Sequence, residues 1–179
     1  MTGRTPNSTI DMQKHQAEID DMELSLRERI RKVFSDATVL TFDRMAAVSV
    51  SVARADGNSG GSYDLSAIIG FTGDLAGNCA LRLSSSSARE AITRVAGEAI
   101  DSPVEIADGV GELVNMIAGN AKAALADYAI SLSFPEVIRG VGHEIGFYRH
   151  PSVVDILCTS EIGTFAVIVA YSESEKIDK

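Results

Sequence analysis

Glu112 and Asn115 are the two residues of this chain whose types and spacing together suggest chemistry on a partner. They lie in the segment Asp108-Gly-Val-Gly-Glu112-Leu-Val-Asn115-Met-Ile-Ala-Gly119-Asn120-Ala-Lys122-Ala-Ala-Leu125. At about 100° per residue, Val110, Leu113, Val114, Ile117, Ala121, Ala124 and Leu125 gather on one face of a helix and predict its core side. Asp108, Glu112, Asn115, Gly119 and Lys122 gather on the opposite face. Three residues apart, the Glu112 and Asn115 side chains project together from adjacent turns.

A carboxamide donates and accepts hydrogen bonds without ionising near neutral pH. It can hold a water in a line of attack without acting as a base. Phosphoryl transfer is catalysed mainly by positioning and electrostatics, so an orienting amide suffices there. A neighbouring carboxylate can pair with a lysine of the partner and fix the docking register. Two features suit a face that another protein approaches closely. Asn is a poor mid-helix residue, because its side chain competes for backbone hydrogen bonds. Gly119 costs about 1 kcal/mol against Ala in a helix interior. Ala123 and Ala126 keep the surroundings low. By spacing alone, however, Glu-x-x-Asn also reads as an ordinary solvated helix face.

Other candidates carry less. His143-Glu144 lacks the second His of a zinc-protease motif, and three histidines form no clustered ligand set. His143 reads as structural, in a strand after Gly140. Gly73-x-x-x-Gly77 lacks the Lys and Ser/Thr of a phosphate loop, and no G-x-S-x-G elbow occurs. Asp108 reads as a helix N-cap or first-turn acid, Asn120 as a local hydrogen-bonding residue, and Lys122 as a solvated charge. Cys79 and Cys158 each sit inside an apolar run and read as buried free thiols.

The elements that must position the pair follow from periodicity. Residues 17–42 show helical spacing through Ile19, Met22, Leu26, Ile30, Val33, Phe34, Ala37, Leu40 and Thr41. Met45–Arg54 alternates through Val48, Val50 and Val52 and predicts a half-buried strand. A flexible turn over 56–61 follows, then strands over 63–71 and 77–83 joined as a hairpin through 72–77. Ser87-Ala-Arg-Glu90 has capping-box spacing and predicts a helix start, which Gly97 ends. The helix carrying the pair is expected over 108–128, with Pro135 closing the connection after it. Strands over 141–148, 153–159 and 164–171 complete the chain. The order predicts an α+β domain, with helices packed on an antiparallel or mixed sheet. Residues 1–22 read as a disordered tail or a tag remnant, 23–172 as the domain, and 173–179 as a charged tail.

The chain has 179 residues, 45% hydrophobic and 23% charged, with a formal net charge of -9. These values support a globular core and leave no basic stripe for nucleic acid or an anionic membrane. With no signal peptide and no bilayer-length apolar run, the expected location is the cytoplasm, and the Asn7-Ser8-Thr9 sequon has no role there.

Read in full, Gly111–Leu125 (G-E-L-V-N-M-I-A-G-N-A-K-A-A-L) resembles the signature helix of the CheC/CheX/FliY chemotaxis phosphatases. The stretch Ser131-Leu-Ser-Phe-Pro135-Glu-Val-Ile-Arg-Gly140-Val-Gly-His143 resembles the family's Ser-x-Pro-x-x-x-x-Gly-x-x-His connection. Gly70–Leu83 resembles its glycine-punctuated hairpin. The likeness covers about Arg29 to Tyr171. CheC and FliY typically carry two Glu-x-x-Asn helices. Here the first helix reads Phe34-Ser-Asp-Ala-Thr-Val-Leu-Thr-Phe-Asp43 and has no such pair, so the single copy is the CheX arrangement.

The resemblance implies a phosphatase acting on the aspartyl-phosphate of a CheY-like response-regulator receiver domain. Asn115 would orient the attacking water, and Glu112 would bind the receiver's active-site lysine. The resemblance also implies that this chain holds no cofactor of its own, that Mg²⁺ is supplied by the receiver, and that the protein is a homodimer. Two other readings stay open: a receiver- or motor-binding module that does not speed hydrolysis, and a small-molecule or nucleotide-binding domain, for which no phosphate-cradling loop is visible.

Overall fold

In the computed structural model the described residues are 8–53, 63–147 and 150–174, with residues 8–24 described by backbone alone. The expected turn over 56–61 and the segments 1–7 and 175–179 lie outside them.

A long helix opens the fold, α1 (Ser8–Ala46). It starts earlier than the predicted residue 17 and ends later than 42. Its apolar stripe packs as expected: Leu26, Ile30, Phe34, Ala37 and Phe42 are buried. Because α1 consumes Met45 and Ala46, the strand predicted over Met45–Arg54 shrinks to β1 (Ser51–Val52). Ala47 adopts a left-handed conformation at φ 49°, and the Val48 N–H reaches back to the Phe42 carbonyl at 3.2 Å. Val48 is buried at this helix end rather than in a ladder.

β2 (Leu65–Gly73) and β3 (Leu75–Leu83) form a hairpin that turns tightly at Asp74, whose carboxylate accepts the Ala129 N–H at 2.8 Å. The glycines of this hairpin make room for backbone. A methyl group at Gly77 would lie 2.0 Å from the Ala170 carbonyl oxygen of the neighbouring strand. The next helix, α2 (Ser85–Ala96), starts ahead of the predicted Ser87. Its cap is Ser84, whose Oγ accepts the Ser87 N–H, and Gly97 ends it at φ 73° as expected. α3 (Pro103–Ala124) carries Glu112 and Asn115, and begins and ends before the predicted 108–128.

Two short edge strands follow, β4 (Ile130–Leu132) and β5 (Glu136–Arg139), both on β2. The strand predicted over 141–148 does not form among its described residues. Gly140 and Gly142 turn the chain at φ 156° and 72°, and the segment folds back over the sheet. His143 holds it there. Its Nε2 is 2.7 Å from Ser66 Oγ, its Nδ1 is 2.7 Å from the Gly140 carbonyl, and its own carbonyl accepts from Arg82 at 3.1 Å. His143 is thus structural, though in a turn rather than a strand.

β6 (Ser152–Ser160) and β7 (Gly163–Glu173) complete the sheet. The strand order is β1-β6-β7-β3-β2-β4, with β5 also on β2, and every pair is antiparallel. The expected α+β fold is the observed one. β7 is central and buried along most of its length, which its unbroken Phe165–Tyr171 apolar run explains. The principal core lies between the sheet and the helices, where Phe42 and Phe165 stack at 4.6 Å. Cys79 and Cys158 are free and buried, and burial pushes both thiols up to about 12.

Candidate functional site

α3 can present a defined face only if its rotation is set, and three neighbours set it. At its start, Ser102 caps the helix by accepting the Glu105 N–H, and Pro103 takes the first position, where a missing N–H costs nothing. On one flank, a methyl group at Gly109 would lie 2.7 Å from Ile92 of α2, so the two helices meet closely there. Further along, the Asn120 Nδ2 donates to Thr41 Oγ1 of α1 at 3.2 Å. On the other flank, Gly111 is buried beneath Pro135 and Val137 of the β4–β5 edge, where an added methyl group would meet them at 3.7 and 3.5 Å. The inward stripe of Ile106, Val110, Leu113, Val114, Ile117 and Ala121 is buried against the sheet.

With rotation set in this way, Glu112 is exposed and Asn115 is half-buried beside it. Among the described residues, neither the Glu112 carboxylate nor the Asn115 carboxamide has a hydrogen-bond or ion-pair partner. Around Gly119 the surface is open, and beyond its own stretch of helix no described atom lies within 4 Å of where a methyl group would sit. The pair stands on a surface, whereas a cavity of about 270 Å³ lies at the N-terminal end of α3, lined by Asp64, Arg89, Ile106, Arg139 and others. Neither Glu112 nor Asn115 lines it. An open face without a cavity suits a macromolecular substrate rather than a small one.

Three residues differ from their sequence-based roles, and Lys122, a solvated charge as expected, has a further contact. Asp108 is exposed in the body of α3 and caps nothing, because Ser102 has displaced the helix start. Ala124 is exposed at the helix end instead of buried. Asn120 bonds across to α1 rather than locally. Lys122 is exposed, yet it also borders an apolar gap lined by Ile30, Phe34, Leu125 and Leu132, which its methylene stem can cover. The Thr41 and Pro135 contacts that orient α3 were invisible to a single-helix pattern, since they join residues distant in sequence.

Among the described residues no three His, Cys, Asp or Glu side chains come together as a metal-ligand group. Nor is any helix among them long and apolar enough to cross a membrane.

The family profile described as "Chemotaxis phosphatase CheX" matches residues 65–158, just over half of the chain. No curated protein matches it in sequence. Among solved structures, it is similar to a chemotaxis protein CheX from Desulfovibrio desulfuricans, at 29% identity and TM-score 0.69 over 80% of this chain and 99% of the other. It shares its fold with a chemotaxis protein CheX from Vibrio vulnificus, at 23% identity and TM-score 0.73 over 82% and 98%. It also shares its fold with the CheX–CheY–BeF₃–Mg²⁺ complex from Borrelia burgdorferi, at 18% identity and TM-score 0.64 over 79% and 97%.

Proposed function

Because this chain belongs to the CheX family of chemotaxis phosphatases, we propose that it hydrolyses the aspartyl-phosphate of a CheY-like receiver domain, with Asn115 and Glu112 as the residues that enter the receiver's site. The observation that carries the reading is the pair on the outward face of α3, without a partner among the described residues. That the Borrelia burgdorferi relative is seen in complex with CheY and a beryllofluoride group supports a receiver as the partner.

The reaction adds water to phosphorus and breaks the bond between phosphorus and the aspartyl oxygen. The leaving carboxylate is stable as an anion, so no general acid is required. The Asn115 amide oxygen accepts a hydrogen bond from the attacking water and aligns its lone pair with the scissile bond. The water's proton passes to the departing phosphate or to solvent, since a carboxamide cannot hold it. Negative charge on the phosphoryl oxygens is neutralised by Mg²⁺ that the receiver holds. Glu112 pairs with the receiver's lysine and sets the register in which Asn115 reaches the phosphoryl group.

The test is phosphate release from receivers of the source organism, charged with Mg²⁺ and acetyl phosphate, in the presence of catalytic amounts of this protein. Acceleration that falls about a hundredfold in Asn115→Ala, with receiver binding kept, is the expected result. Turnover at the undiminished rate in that variant removes Asn115 from the mechanism. Binding without acceleration in the unaltered protein replaces the phosphatase with a docking module.

A further inference from the structure

The edge of the sheet beside α3 is irregular in a specific way. Leu132 pairs with Phe71 and Glu136 pairs with Ile68, so residues 133–135 stand opposite only Ile69 and Gly70. This is a one-residue bulge between β4 and β5. Bulges leave a residue out of the ladder and redirect its side chain. Here the backbone is pinned on both sides of the displaced residue. The Ser133 N–H donates to the Gly70 carbonyl at 2.9 Å, and the Gly70 N–H donates to Ser133 Oγ at 2.9 Å. The Ser133 hydroxyl donates in turn to the Phe134 carbonyl at 2.9 Å. On the other side, the Pro135 ring restricts φ and lies against Gly111, the residue before Glu112.

Between these anchors Phe134 is 92% exposed, more than any other large hydrophobic residue described. Single exposed hydrophobic residues are ordinary, but this one stands on a backbone held by hydrogen bonds beside α3. The hydrogen-bonded bulge fixes where the ring leaves the backbone, so less backbone freedom is lost when the ring is buried by a partner. Aromatic anchors of this kind carry much of the binding energy in protein interfaces, surrounded by polar and charged contacts.

We propose that Phe134 is the apolar anchor that seats the receiver domain beside Glu112 and Asn115. It acts as a specificity-determining residue for docking and takes no part in the chemistry. The inference rests on the receiver-phosphatase reading above, and extends its surface from α3 onto the edge bulge. Continuity argues for the receiver as the occupant, because the bulge meets α3 at Gly111, one residue from Glu112. A second copy adding a strand at this point is disfavoured. The bulge interrupts the ladder, and Pro135 offers no N–H for an incoming strand.

The experiment takes a receiver that the unaltered protein dephosphorylates and compares Phe134→Ala, Phe134→Leu and Asn115→Ala. Steady-state turnover is measured over a range of phosphorylated receiver, and Kd is measured with the beryllofluoride-charged receiver. Phe134→Ala is expected to raise KM and Kd about tenfold with kcat held within about twofold. Phe134→Leu is expected to recover part of the loss, and Asn115→Ala to lose kcat with Kd kept. An unchanged KM and Kd in Phe134→Ala overturns the anchor and leaves the phosphatase reading standing. So does a fall in kcat alone, or a change in sedimentation mass with unchanged KM, which would assign the ring to a second copy. Failure of the unaltered protein to bind or turn over any receiver is seen without the Phe134 variants, and both readings then fall.

Discussion

Glu112 and Asn115 share a helix face, and in the proposed mechanism they divide the work by what each group can do. A carboxylate carries charge and can attract a cation before contact, whereas a carboxamide can only orient what has already arrived. Glu112→Gln keeps the shape and removes the charge. It is expected to raise KM for the phosphorylated receiver about tenfold, with kcat largely kept, and to flatten the dependence of KM on ionic strength. Equal loss of kcat and kcat/KM would place Glu112 in the chemistry instead. The two cysteines belong to the opposite category. Buried, with thiols pushed up to about 12, they hold almost no thiolate at neutral pH and have no access to a substrate.

The element that matters is α3, and its oddest residue is Gly119. Nothing in the fold needs a glycine there, since the space beside it is open. Gly119→Ala is therefore expected to stabilise the protein by about 0.5–1 kcal/mol, through better helix propensity and a less flexible unfolded chain. The midpoint of urea unfolding measures it. If the receiver closes down on this face, the same variant turns over phosphorylated receiver more slowly. Stabilisation with unchanged turnover would mean that the receiver does not approach Gly119. Gly111 differs in being covered, since a methyl group there would touch Pro135 and Val137 at ordinary contact distance.

At the scale of the molecule, α1 holds α3 and the sheet together. Arg27 and Arg31 donate to the carbonyls of Val153 and Asp155 on β6 at 2.8 and 3.0 Å. Arg29 pairs with Asp127 just beyond α3 and lies 5.5 Å over the Tyr128 ring. The hydrogen bond from the Arg29 guanidinium holds the Asp127 carboxyl below the usual carboxylate range. A depressed pKa in the folded state stabilises the fold above the unfolded carboxylate's pKa, near 3.9. That contribution fades as pH falls through the folded value. Asp127→Asn should therefore lose the part of the acid-induced fall in Tm that lies below about pH 4, with only a small change near pH 7, where exposed pairs contribute little. Tm followed from pH 2.5 to 7 for both proteins checks this. Identical acid profiles would show that the pair does not couple α1 to the end of α3.

What the sequence determined by itself is what local periodicity and chemical type can encode. The α+β class, the amphipathic stripe of α3 and the pairing of Glu112 with Asn115 on one outward face follow from spacings within single elements. The buried cysteines follow from their apolar surroundings. Element ends were less legible, because competing local signals look alike. Ser84 and Ser102 each outdid a later candidate cap, and α1 ran through Met45 and Ala46 into what alternation had marked as a strand. The apolar run after Gly140 read as a strand, yet two glycines at positive φ turned it across the sheet. Only the tertiary structure decided which way α3 faces, through Asn120 on Thr41, Gly109 beside Ile92 and Gly111 beneath Pro135. It alone brought the edge bulge, through Pro135, against Gly111 of α3. These are contacts between residues far apart in the chain, where steric fit rather than periodicity selects the partner.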